Sequence, residues 1–180
     1  MNNALYPSGH YYSPIPSNED VLAYVKSRKS PNSELLGIKL NEKGQHALLS
    51  EYVHFYNDIP FSEQKTSACR YYYDNGWFSY SDAIFLYSFL RKNKPKRIIE
   101  VGSGFSSAAM LDTIGSCFSQ KPEITFIEPH PERLISLLRE GDREQVRLID
   151  RKIQEVSPDV LLALKSGDFL FIDSRGGPTS

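Results

Sequence analysis

The sequence predicts an α/β protein built on a parallel sheet. From Lys96 onward, four short apolar runs alternate with helical patterns. The last, Phe169 to Ile172, is apolar without a break, as suits a strand buried on both faces. The first run opens into a turn holding Gly102 and Gly104, and a small-residue helix follows. Strands separated by helices pair in parallel through right-handed crossovers, with helices on both faces of the sheet.

The elements follow in chain order. Residues 1–95 are rich in Tyr, Asn, Ser and Pro and show helical patterns with no clear strand. The first 16 residues hold three prolines and read as an extended arm. A helix is expected from near Asn18, where Ser17 or Asn18 can cap and Glu19 and Asp20 suit the positive helix end. A second is expected over Asn41 to Tyr56, with Leu48, Leu49, Tyr52, Val53 and Tyr56 on one side. A third begins after Ser81 and runs through Leu90. The basic run Arg91 to Arg97 sits at that helix's C-terminus, where cations suit the dipole.

Ile98 to Val101 is the first strand, and Ser106 to about Phe118 the helix after it. Ile124 to Glu128 is the second strand. Pro131 opens the next helix. Val146 to Asp150 is the third strand. Ser157 caps a helix that Pro158 starts and Gly167 ends. Asp168 to Asp173 is the fourth strand. The domain reading is an arm and helical leader over 1–95, then a C-terminally incomplete sheet domain over 96–180.

The chain has 180 residues, 40% hydrophobic and 24% charged, the balance of an ordinary globular protein. A formal charge of -1 gives no electrostatic case for nucleic acid or an anionic membrane as partner. No segment approaches the roughly 20 apolar residues that span a bilayer. The N-terminus lacks the basic and apolar regions of a signal peptide, so a cytoplasmic location is expected. Cys69 and Cys117 stand in no motif and are expected to be reduced. His46 and His54 lack partner ligands, so no metal is expected.

In an open parallel sheet, ligands bind outside the carboxyl ends of the strands. The first strand ends at Glu100-Val-Gly102-Ser103-Gly104, a strand, a glycine turn and a helix N-terminus. Glycine lets a ligand approach the backbone closely, because no Cβ intervenes. A carboxylate at Glu100 suits a cationic amino-acid end better than a pyrophosphate. The second strand ends in Glu128, placed to accept from both hydroxyls of a ribose. Gln154 follows the third strand, where an adenine edge would lie. The fourth ends in Asp173, which equally reads as a strand-end residue capping the next turn.

This set resembles the class I S-adenosylmethionine-dependent methyltransferases, over about residues 70–173. It is most similar to bacterial members with a Tyr-rich leader, on Gly9 to Pro16, Asn75-x-x-Phe78, Asp82-Ala83, Ile99 to Ser107, Ile127-Glu128-Pro129 and Leu170 to Ser174. The resemblance implies a Rossmann-like sheet of order 3-2-1-4 with S-adenosylmethionine as cofactor. It implies that Glu100, Gly102, Ser103 and Gly104 lie by the methionine part, that Glu128 holds the ribose, and that Gln154 flanks adenine. Asp173 would border the transferring methyl, with Asn75 and Phe78 also at the cofactor. Their bland readings stand beside this: Gln154 a surface residue, Asn75 a loop, Phe78 a core aromatic.

Methyl transfer is an in-line displacement that gains most from alignment. An oxygen or nitrogen acceptor also needs a base, which His10 or a leader Tyr folded over the cleft would supply. The acceptor is expected to be a small molecule. Family members continue past the fourth strand, so the chain is expected to be truncated there. An exposed fourth-strand edge invites pairing with another copy. Two other readings remain. Gly102-x-Gly104-x-x-Ser107 with Glu128 fits a dinucleotide fingerprint loosely, though Glu100 is acidic where that fingerprint is apolar and Ser107 replaces a packing glycine. The other is a non-catalytic fragment that binds a partner through its fourth strand.

Overall fold

The computed structural model describes Ser8 and residues 16–27 and 37–173. Most of the Tyr-rich arm, His10 and the residues after Asp173 lie outside these. Two compact units divide the chain, Met1–Gln45 and His46–Ser180. The second starts well before the change in sequence texture at residue 95, because α3 packs on α4 beside the sheet.

Helix α1 is Asn18–Ser27. Its cap is Ser17, whose Oγ accepts from the Asp20 amide at 3.1 Å. Helix α2 is Glu42–Val53, starting one residue later and ending three earlier than expected, and a 3-10 turn covers Tyr56–Asp58. Its apolar side is not a core face. Only Tyr52 is buried, edge-on to Phe85, and Leu48, Leu49, Val53 and Tyr56 are exposed. Helix α3 is Tyr80–Asn93, closed by Lys94 in the left-handed region. Three cations of the basic run at its end are paired: Arg91 with Asp58, Lys92 with Glu51 and Arg97 with Glu123.

The sheet begins with β1, Arg97–Val101, followed by α4, Phe105–Cys117. Then come β2, Glu123–Ile127, and the short helices α5, Glu132–Leu137, and α6, Asp142–Gln145. Strand β3 is Val146–Ile149, α7 is Pro158–Leu162 and β4 is Phe169–Ile172. All pairings are parallel and the order is β3-β2-β1-β4. The fold is thus a Rossmann-like α/β sheet preceded by helices, as the sequence predicts. Helix α7 stops at Leu162, well before Gly167. The Arg97 guanidinium takes the Ala163 carbonyl there, and Gly167 instead forms the turn into β4 at φ +88°.

Side chains alternate across the strands. Ile98, Ile124, Phe126 and Phe171 meet α3 and α4 in the main core, with Met110, Leu86 and Leu90. Ile99, Val101 and Ile127 form a smaller core on the other face, against Ile149, Val160 and Leu164. Leu170 and Ile172 of β4 point to that second face and stay exposed. No strand precedes β1 among the described residues. Ser62 and Tyr72 form an isolated bridge. Tyr71 and Tyr87 pack inward, Tyr71 fully buried and edge-on to Phe61, Tyr73 and Phe78, whereas Tyr24, Tyr56 and Tyr80 are exposed.

Candidate functional site

The strand ends at the carboxyl edge of the sheet, where an open parallel sheet binds its ligands, carry the residues of the candidate crevice. Gly102 carries the chain out of β1 at φ +86°, a conformation that costs an L side chain and suits glycine. Its amide donates to Ile127 O at 3.0 Å, so the turn starts while still tied to β2. The next amide, Ser103 N–H, donates to Glu128 Oε2 at 3.0 Å. The other oxygen, Oε1, accepts from His130 N–H at 2.9 Å. Glu128 therefore joins the glycine turn to the end of β2.

Glu100 lies beneath the turn. It shares the inward face of β1 with Ile98 and is fully buried. Ser106 and Ser107, in the first turn of α4, donate their hydroxyls to its two oxygens, Ser106 at 2.5 Å. Ser107 Oγ also accepts from the Gly104 amide at 2.9 Å. Burial pushes the Glu100 carboxyl up to about 8; the serine hydroxyls pull it back and the charge of Asp173 pushes it further. Ser103 Oγ is buried without a hydrogen bond of normal geometry, yet near enough to Glu100 to favour its charged form slightly. The acidic Glu100 and the serine at 107, the two departures from a dinucleotide fingerprint, are thus one bonded unit.

Asp173 closes the β4 side. Its amide donates to Val101 O at 2.9 Å and its side chain is exposed. Gln154 sits in a 3-10 turn, Ile153–Glu155, after β3, and is exposed. Asn75 and Phe78 lie in the loop before α3. Asn75 Nδ2 donates to Tyr72 O and Phe78 O, both at 2.7 Å, and its Oδ1 accepts from the Trp77 and Phe78 amides. That bonding saturates the side chain on its own loop. Phe78 is buried against Tyr71 and Phe171. The structure therefore brings Glu100, Gly102, Ser103, Gly104, Glu128 and Asp173 together, and gives Asn75 and Phe78 to the support of the loop. His10 lies outside the described residues.

The sequence reading missed four residues at this crevice. Tyr72 packs edge-on to Phe105 at the start of α4. The Arg133 guanidinium stacks on the Trp77 ring, 3.6 Å from its centroid. A single sequence carries no signal for pairs so far apart in the chain. An open groove lined by Arg97, Glu123, Arg147 and Val160 lies at the opposite, amino-terminal ends of the strands, apart from the crevice.

Fold and site together define a Rossmann-like α/β protein with an acid-flanked glycine turn. The chain is 36% identical over 159 residues to an uncharacterized protein of Archaeoglobus fulgidus, covering 84% of this chain and 70% of that one. It belongs to the family of that protein. No family model matches it. Among solved structures, a Podospora anserina methyltransferase bound to SAH aligns with a TM-score of 0.42 and 24% identity. That alignment covers 90% of this chain, which spans 61% of the fungal one. No helix among the described residues is long and apolar enough to cross a membrane.

Proposed function

We propose that this chain binds S-adenosylmethionine in the crevice and transfers its methyl group to a small-molecule acceptor. The bond between the Ser103 amide and Glu128 carries the reading, because it sets the glycine turn and the second-strand acid on one crevice. The residues fit the cofactor. Each oxygen of Glu128 accepts one backbone amide and keeps further acceptor capacity, which matches the two neighbouring hydroxyls of a ribose. Gly102 and Gly104 put no side chain of their own against a ligand. Carboxylates suit a ligand that carries a sulfonium and an ammonium.

In this reading the cofactor supplies an electrophilic methyl, and the chain supplies alignment. Glu128 holds the ribose and Gln154 flanks adenine. Glu100 does not reach the ligand; it fixes the turn by holding Ser106 and Ser107. Asp173 borders the methyl. Asn75 and Phe78 serve by holding the loop that carries Trp77. His10 is proposed as base toward the acceptor, and a His10→Ala variant with unaltered turnover would dismiss that role.

Calorimetric titration of the chain with S-adenosylmethionine is the test, with NAD and a Glu128→Ala variant as controls. Saturable binding of S-adenosylmethionine alone, lost in the variant, is expected. Binding of NAD in its place, or of neither, would sink the reading. A second proposal concerns partners: β4 at the sheet edge, with Leu170 40% and Ile172 65% exposed, supports pairing with a second copy.

A further inference from the structure

Arg133 stands over the glycine turn. A Cβ built on Gly104 would meet Arg133 Cδ at 3.4 Å, so the arginine stem covers the bare face of the turn. Its guanidinium rests on the indole of Trp77, 3.6 Å from the ring centroid. The space that glycine leaves for a ligand is therefore covered by a movable cationic side chain, itself exposed. The other charged side chains at the crevice are the acids Glu128 and Asp173, since Glu100 is buried beneath the turn. Asp173 answers the sulfonium and Glu128 the ribose, and neither acid answers the carboxylate of the ligand's amino-acid end. A guanidinium does, since its fork matches a carboxylate with two parallel hydrogen bonds.

We propose that Arg133 leaves the Trp77 ring to bind the carboxylate of the ligand's amino-acid end, and so selects ligands that carry one. This rests on the S-adenosylmethionine reading above. The indole is the resting place of the guanidinium, a cation held over an aromatic face by the charge distribution of the ring. Trp77 is the single tryptophan of the chain, so its fluorescence reports directly on that departure.

The test compares S-adenosylmethionine with decarboxylated S-adenosylmethionine, which keeps the sulfonium and the amine and lacks only the carboxylate. Binding is measured by calorimetry and by tryptophan fluorescence, on the full chain and on Arg133→Gln. The native chain is expected to prefer the carboxylate-bearing ligand by about tenfold, the scale of one charge-assisted contact. Arg133→Gln is expected to bind the two ligands equally. Only the carboxylate-bearing ligand changes the fluorescence of the native chain. A preference that survives in Arg133→Gln, an absent preference in the native chain, or a variant that loses both ligands overturns the Arg133 assignment. A native chain that binds neither ligand overturns the site reading itself, and this assignment with it.

Discussion

The Ser103 amide donates to the Glu128 carboxylate at 3.0 Å, across the two strands that flank the crevice. One side chain thereby fixes the distance between the turn after β1 and the end of β2. The same carboxylate takes the His130 amide, so it orders the chain on both sides of itself.

Glu128→Ala is expected to lower the stability of the ligand-free chain by about 1–2 kcal/mol, as two backbone amides lose a charged acceptor in a half-buried place. Glu128→Gln, which keeps one acceptor oxygen, is expected to lose about half as much. Urea unfolding measures both. An alanine variant as stable as the native chain would show that the turn holds its shape by backbone bonds alone.

Glu100 makes stability depend on pH. Its carboxyl moves from an ordinary value of 4.5 in the unfolded chain to about 8 in the folded one. Below 4.5 it is neutral in both states and contributes nothing. Between 4.5 and 8 the folded chain holds a proton that the unfolded chain has lost, so stability falls as pH rises. Above 8 the full cost of burying the charge remains. Glu100→Gln is expected to gain on the native chain steadily from pH 5 to pH 8 in urea titrations. A difference independent of pH would mean that Glu100 ionises in the folded chain as it does in water.

Arg70 clamps three segments together. Its guanidinium bonds Asp112 of α4 at 2.6 Å and Asp142 of α6 at 2.6 and 2.8 Å. Asp112 also accepts the Arg70 and Tyr71 amides. Burial would raise the Asp142 carboxyl, but Arg70 and the Arg139 amide hold it below its ordinary value. Arg70→Ala strands both carboxylates at 4% and 9% exposure. A loss of about 3–5 kcal/mol is expected, read by denaturant or thermal unfolding. A loss under 1 kcal/mol would contradict the clamp.

Pairing through β4 predicts a dimer whose mass falls to that of one chain when Ile172 becomes lysine. Ile172 is 65% exposed, so the substitution spares the core. Sedimentation at several concentrations decides it. A native chain that stays monomeric throughout removes the proposal.

The sheet was legible because each strand is a run of four or five residues with little polar interruption, bounded by a glycine or an acid. The glycine turn and Glu128 were legible because both lie at strand ends, where position alone implies a crevice. Other features were hidden for physical reasons. Arg70 finds its acids 42 and 72 positions away, and ion pairs at that distance leave no local pattern. The apolar spacing of α2 promised a buried side, yet only Tyr52 found a partner surface. The resemblance implies Asn75 at the cofactor, whereas its amide bonds within its own loop, a choice that depends on where Phe78 packs.

The loop from Tyr71 to Phe78 is held from within. Tyr71 donates its hydroxyl to Phe78 O at 2.7 Å, and Asn75 binds both sides of the bend. Trp77, half exposed at the tip, has its backbone amide tied to Asn75 and its ring under Arg133. The loop is a rigid mount with an exchangeable tip. Another side chain at 77 would change the surface at the tip without redrawing the path of the chain. A single substitution at the tip is therefore expected to cost the fold little.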